Sequence, residues 1–225
     1  MTENRPHSIT GALGNRHDYL PAAGHDAFLP GYDLLTRVLG IDRAHRMLIT
    51  QAELTDGQSV LEVGCGTGNL ITRVSRQYPA VTAVGCDPDP RALARAGRKA
   101  RRLSGITFDR GYAQKLPYPD GQFDRVLSSM MWHHLGEDVK AEAAAEIFRV
   151  LRPGGSLHLV DVGGEMTPED GILARRMLRS PHVTGNLGDA IPRRLRSAGF
   201  DCAVMDTLRV RLIGRLTFFR AIRPD

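Results

Sequence analysis

The spacing of apolar residues changes character near residue 58. Before that point they recur at helical intervals. Tyr32-Asp-Leu-Leu-Thr-Arg-Val-Leu39, closed by Gly40, reads as one helix, and Ile41 to about Leu54 as a second. Thr55-Asp56-Gly57 then punctuates the chain. Residues 1–24 show no period and are rich in Gly, Pro, His and Asn, so they read as irregular.

After residue 58 short apolar runs alternate with helical stretches. Ser59–Val63 is expected as a strand, followed by a glycine turn and a helix to about Tyr78. Val81–Cys86 is the second strand. Asp89-Pro90 opens the next helix, with Asp89 suited to cap it and Pro90 to its first position. Ile106–Asp109 and Phe123–Ser129 are the third and fourth strands. Glu137–Leu151 is a helix stopped by Pro153-Gly154-Gly155, and Ser156–Val162 is the fifth strand. Residues 188–198 form a helix ending at Gly199; Cys202–Val210 and Arg215–Ile222 close the chain as strands. Strands alternating with helices imply a doubly wound α/β fold on a mostly parallel sheet. The two final strands, with no helix between them, imply a hairpin at one edge. The expected division is a helical extension or lid over 1–54 and one domain over 55–225, with a short substrate-side insertion at 163–187.

Composition narrows the setting. A chain of 225 residues buries a sizeable core without disulfides or metals. No apolar run approaches the ~20 residues of a membrane span, and Met1–Asn15 lacks the apolar centre of a signal peptide. Cys65, Cys86 and Cys202 share no metal-ligand spacing, so no metal is expected and a cytoplasmic setting is. The net charge is +5, carried almost wholly by arginine and spread along the chain; the one dense cluster, Arg91 to Arg102, falls on a helix. That spread favours solvated helix faces over a nucleic-acid surface.

The chemistry is concentrated after the first strand. Gly64, Gly66 and Gly68 allow a tight turn and close backbone approach to a ligand, beside the free N–H groups of a helix start. Asp87 lies 19 residues past Gly68 at the next strand end, where an acid accepts from ribose hydroxyls. A dinucleotide fingerprint needs Gly or Ala where this chain has Asn69. Glu62, two residues before the first glycine, disfavours a pyrophosphate and favours a cationic ligand. S-adenosylmethionine, with its ammonium and sulfonium, meets both conditions.

Four blocks carry a resemblance: Val60–Leu70, Val84-Gly-Cys-Asp-Pro88, Leu116–Val126 and Arg149-Val-Leu-Arg-Pro-Gly-Gly155. With them the chain resembles the class I S-adenosylmethionine-dependent methyltransferases, in the broad group that includes the ubiquinone/menaquinone C-methyltransferases. The resemblance implies a seven-stranded Rossmann-like sheet with an antiparallel last strand. It implies that the glycine turn, including Cys65, lies under the methionine part of the cofactor. Asp87 would hold the ribose, Pro88 or Asp89 would pack beside the adenine, and Tyr112-Ala113-Gln114 would line it. Ser128 and Ser129 would offer carbonyls to the ammonium. The chain departs from the pattern at Tyr112, where relatives often carry an acid. It departs again at Met130-Met-Trp-His-His-Leu135, where quinone enzymes carry a Phe-Gly-Leu-Arg-Asn-like stretch, so a quinone acceptor is not assigned.

Methyl transfer needs alignment and exclusion of water, and a base only where the nucleophile must lose a proton. His133 is the candidate base, with His134 beside it; the alternative is a histidine that bonds backbone at the strand–helix turn. Met130, Met131 and Trp132 are candidates for an apolar acceptor wall, or for plain core. Tyr19, His25, Phe28 and Tyr32 are candidates to cover the site. The expected partner is a small, apolar or aromatic acceptor, with homodimerisation open. Two other readings stay open: an RNA or DNA methyltransferase, for which no Asn/Asp-Pro-Pro-aromatic stretch or placed Cys is found, and a non-catalytic cofactor-binding module.

Overall fold

The computed structural model describes residues 40–210 and 213–225. The elements follow in order: α1 (Ile41–Ala52), β1 (Ser59–Val63), α2 (Asn69–Gln77), β2 (Thr82–Asp87), α3 (Pro90–Ala100), β3 (Ile106–Arg110) and β4 (Phe123–Ser129). A 3-10 turn at Trp132–His134 leads to α4 (Glu137–Val150) and β5 (Leu151–Val162). Then come a 3-10 turn at Pro168–Asp170, α5 (Ile172–Met177), α6 (Pro181–Thr184), α7 (Ala190–Ser197), β6 (Asp201–Val210) and β7 (Gly214–Ile222).

The seven strands form one sheet in the order β3-β2-β1-β4-β5-β7-β6. All neighbours are parallel except β7, which runs antiparallel to both β5 and β6. The expected C-terminal hairpin is there, and its second strand slots between β5 and β6. Parallel strands need both faces covered, and two apolar clusters do this. One face carries Leu48, Leu70, Ile71, Val74 and Val160; the other carries Phe123, Trp132, Ile147, Leu195 and Phe219. Helix α1 contributes Ile41, Ala44, Leu48 and Ile49 to the first cluster, so this part of the N-terminal segment is core.

Local signals explain most element ends. The Asp89 side chain accepts the Arg91 N–H at 2.8 Å, and Pro90 takes the first position of α3. Helix α4 ends under a guanidinium: Arg223 Nη1 donates to the carbonyls of Phe148, Arg149 and Leu151 at 3.0, 3.2 and 2.6 Å, acceptors that the helix itself leaves open. The Arg91–Arg102 cluster lies on α3 and the turn after it. With Arg76 of α2, Arg98, Lys99, Arg101 and Arg102 line an open groove.

One element differs from the expectation. Strand β5 begins at Leu151, not Ser156, and runs through Pro153-Gly154-Gly155. Its pairing with β4 jumps from Phe123↔Leu151 to Arg125↔Ser156, so the intervening residues bulge outward. Gly154, at φ +68°, permits the bulge, and it is held by Gly154 N–H to Arg223 O and Arg223 N–H to Gly155 O, both 2.9 Å. The Pro-Gly-Gly stretch stops the helix but only kinks the strand, because Arg223, just past β7, supplies its missing partners.

Glu62 has a structural task. It is buried, and its Oε2 accepts the Ile71 N–H at 2.8 Å, closing the first turn of α2. Burial, and secondarily the nearby Asp87, push its carboxyl well above the usual range. A carboxyl raised in the folded state favours its protonated form, so it contributes least above its ordinary pKa. Glu62→Gln keeps the acceptor without the charge. By chemical denaturation it should match or exceed the parent, with an advantage that grows as pH rises above the ordinary carboxyl value of 4.5. Glu62→Ala, which removes the cap, should lose about 1 kcal/mol or more.

Candidate functional site

The chain leaves β1 for β2 and β3 on one side of the sheet and returns to β4 and β5 on the other, so the crevice of this open sheet lies between the ends of β1 and β4. Pairing between those strands stops at Glu62↔Leu127. Beyond it the glycine turn departs on one side, and Ser128 and Ser129 on the other.

The turn is left-handed at all three glycines, with φ of +74°, +51° and +76° at Gly64, Gly66 and Gly68. At Gly64 a Cβ would fall within the side chain of Met131, and at Gly68 it would stand 2.8 Å from Ala96 Cβ. Both positions therefore need glycine for conformation and for space. The Cys65 thiol is buried, and burial raises its pKa. The Asn69 side chain accepts from Lys99 Nζ at 2.7 Å, and Lys99 also reaches Thr67 at 2.9 Å. Lys99 therefore braces the start of α2, a contact the sequence did not signal.

Asp87 ends β2 and is tied to the turn. Its Oδ2 accepts the Gly66 N–H at 2.7 Å and its Oδ1 accepts the Asp89 N–H at 2.9 Å. Burial raises its pKa to about 6, against the pull of those two N–H groups. A carboxylate can accept about four hydrogen bonds, so acceptor capacity remains. Next to it, Gly111 donates to the Asp87 carbonyl at 3.3 Å, which brings the turn 112–115 to the same end of the sheet. Tyr112 bridges to Lys115, and Ala113 and Gln114 are half-buried there, beside the half-buried Pro88.

On the opposite bank the Ser128 hydroxyl donates to the Val63 carbonyl at 3.0 Å. The Ser129 hydroxyl is buried and has no partner among the described residues. A crevice with a buried acid on one bank, a bare-backbone turn at its base and an unmet hydroxyl on the other bank fits S-adenosylmethionine. Asp87 matches a ribose diol, and the β4 end matches an ammonium. Glu62 fits less directly: its carboxyl faces the start of α2, so its sequence-level role as a charge selecting a cationic ligand gives way to that of a helix cap.

After β4 the chain turns sharply. Met130 takes φ +56°, a left-handed conformation rare for a side chain of its size, while its N–H bonds Val160 O at 2.9 Å. Met131 then lies over Gly64. Trp132 is fully buried, with no partner for Nε1 among the described residues, so it is core and not a free wall. His133 is turned toward β5, where its Nδ1 stands 2.6 Å from Asp161 Oδ1. His134 is exposed, its ring 4.0 Å from that of His133.

Asp161 is a buried acid beside His133 that the sequence did not single out. It is fully buried within β5 and accepts from the backbone N–H groups of Trp132 (2.7 Å), His133 (3.4 Å) and Val162 (2.7 Å), besides the ring. The available signal was an acid inside the apolar run Leu157-His-Leu-Val-Asp-Val162, where an unpaired charge is costly. Tyr19, His25, Phe28 and Tyr32 lie outside the described residues. Among the described residues no cluster of His, Cys, Asp and Glu could hold a metal, and no helix is long and apolar enough to cross a membrane.

Residues 60–155 match the methyltransferase domain family. Demethylmenaquinone methyltransferase of Deinococcus radiodurans is 36% identical over 166 residues, covering 71% of this chain and 66% of that enzyme. The chain spans less than two thirds of the length of the curated relatives it matches first. Among solved structures, the YcgJ protein of Bacillus subtilis aligns with TM-score 0.68 at 18% identity, over 82% of this chain and 99% of that one. The cyclase SpnF aligns with TM-score 0.66 at 24% identity, over 81% of each chain. The chain carries a methyltransferase domain over residues 60–155, on the fold of the class I S-adenosylmethionine-dependent methyltransferases.

Proposed function

We propose that the chain transfers the methyl group of S-adenosylmethionine to a small, apolar or aromatic molecule by in-line displacement. The observation that carries this is the Asp87 carboxylate, buried, raised to about 6 and held against the Gly66 N–H at the mouth of the β1–β4 crevice. An acid kept there at a desolvation penalty suits a ligand with hydroxyl donors. S-adenosylmethionine supplies a methyl carbon already activated by its sulfonium.

The protein's part is to hold and align. Asp87 accepts from the ribose hydroxyls. Gly64, Cys65, Gly66, Gly68 and Asn69 form the floor under the methionine portion, with Glu62 anchoring that floor from beneath. Pro88, Ala113 and Gln114 flank the adenine, and Ser128 and Ser129 receive the ammonium. Met130 and Met131 lie beside the acceptor, and His133 takes its proton. Tyr19, Phe28 and Tyr32 are assigned to the cover, with 163–187 as the second covering segment. A ring-shaped acceptor is supported by the relative's name, demethylmenaquinone methyltransferase, while Met130–Leu135 argues against assigning a quinone itself.

Titration calorimetry with S-adenosylmethionine tests the cofactor site. Asp87→Ala should weaken binding by roughly 10- to 100-fold, the worth of hydrogen bonds to a charged group. Parent affinity should fall as pH drops below about 6, because protonation removes the charge and turns one acceptor oxygen into a donor, and Asp87→Asn should flatten that dependence. No binding by the parent, or equal affinity in Asp87→Ala, refutes the site.

Release of S-adenosylhomocysteine against a panel of aromatic and apolar acceptors tests the transfer itself. His133→Ala should lower turnover by about 10²- to 10⁴-fold with cofactor affinity unchanged. Full activity in that variant returns His133 to a backbone-holding role. Cofactor binding with no transfer to any acceptor would favour a non-methylating use of the fold.

A further inference from the structure

We infer that Asp161 is a positioning residue for His133, and that the pair marks an acceptor whose nucleophile is a ring hydroxyl that must lose its proton. The inference rests on the methyltransferase reading above and deepens it.

An ionised carboxylate only accepts hydrogen bonds, so at 2.6 Å from Asp161 Oδ1 the His133 Nδ1 carries the hydrogen. In that tautomer a neutral imidazole carries its lone pair on Nε2, the ring nitrogen that does not contact Asp161. The carboxylate is itself immobilised. Trp132 N–H and His133 N–H bind Oδ2, and Val162 N–H binds Oδ1. Two of these donors belong to the same 3-10 turn that carries the ring, so one carboxylate sets both the turn and the ring orientation. Among the described residues no lysine or arginine pairs with Asp161; its ion-pair partner is His133. The turn also holds Met131 over Gly64, which places the histidine segment beside the glycine floor.

This arrangement is that of a base, and a base narrows the acceptor. A neutral amine attacks with its own lone pair and needs no prior deprotonation. A phenol or hydroquinone hydroxyl is a weak nucleophile until its proton leaves. In the step proposed, the proton moves from the acceptor oxygen to His133 Nε2, leaving an imidazolium beside the Asp161 anion. The freed electron pair on that oxygen bonds the methyl carbon. The electron pair of the broken carbon–sulfur bond stays on sulfur, which becomes a neutral thioether.

Nitrogen-15 NMR of the histidine-labelled protein, without cofactor at about pH 8, reads the tautomer. His133 should be the Nδ1–H form, and in Asp161→Asn, whose amide can donate to Nδ1, it should shift toward Nε2–H. With acceptors present, Asp161→Asn should lower kcat/KM toward phenols and hydroquinones by about 10²-fold or more, with S-adenosylmethionine affinity changed less than about twofold. An Nε2–H tautomer in the parent overturns the inference, even if the variant fails to fold. So does undiminished turnover in Asp161→Asn, or a parent active on amines or thiols but not on ring hydroxyls. Absence of cofactor binding would instead sink the methyltransferase reading, while the tautomer measurement would still report on the pair.

Discussion

The hydrogen bond from Gly66 N–H to the Asp87 carboxylate is the constraint on which the cleft depends. It joins the turn after β1 to the end of β2, and through Asp89 N–H it reaches the cap of α3. The turn is left-handed at Gly64, Gly66 and Gly68, and a Cβ at the first or third would also meet Met131 or Ala96. Burial resists the charge on Asp87 and raises its pKa to about 6; the two backbone donors oppose that shift without cancelling it. The result is a carboxylate that is fixed in place, partly satisfied and open to further donors.

The other bank is built by the same means. Asp161, also buried, collects three backbone donors and the His133 ring, and so fixes the segment that leaves β4. That segment begins at Met130, whose φ of +56° carries strain, and the strain is held by Met130 N–H on Val160 O and by the complete burial of Trp132. Two buried acids, at the ends of β2 and β5 with β1 and β4 between them, thus position the two halves of the proposed chemistry. Asp87 serves the cofactor and Asp161 the acceptor side. The second half of the sheet supports this geometry: β7 runs antiparallel against β5 and holds the strand that carries Asp161.

Features with local causes were legible in the sequence. Ser59–Val63 and Phe123–Ser129 have the observed bounds because each is an apolar run between turn residues. Asp89-Pro90 marked the start of α3 because capping is a matter of adjacent residues. Non-local features were not legible. The Pro-Gly-Gly stretch looked like the end of an element, and only pairing with Arg223 shows that β5 continues through it. Glu62 looked like a charge facing a ligand, whereas the structure turns it onto the Ile71 N–H. Asp161 looked like an odd residue in a strand until His133, 28 positions away, folded against it. Trp132 could have lined a pocket or filled the core, and only the packing decides for the core.

The most direct test of the account is an experimental structure of the chain with S-adenosylhomocysteine bound. The account predicts both ribose hydroxyls within about 2.6–3.2 Å of the Asp87 carboxylate, the homocysteine portion over Gly64–Gly68, and its ammonium at the Ser128–Ser129 end of β4. A ligand seated elsewhere, or in the crevice with its ribose hydroxyls out of reach of Asp87, would contradict it.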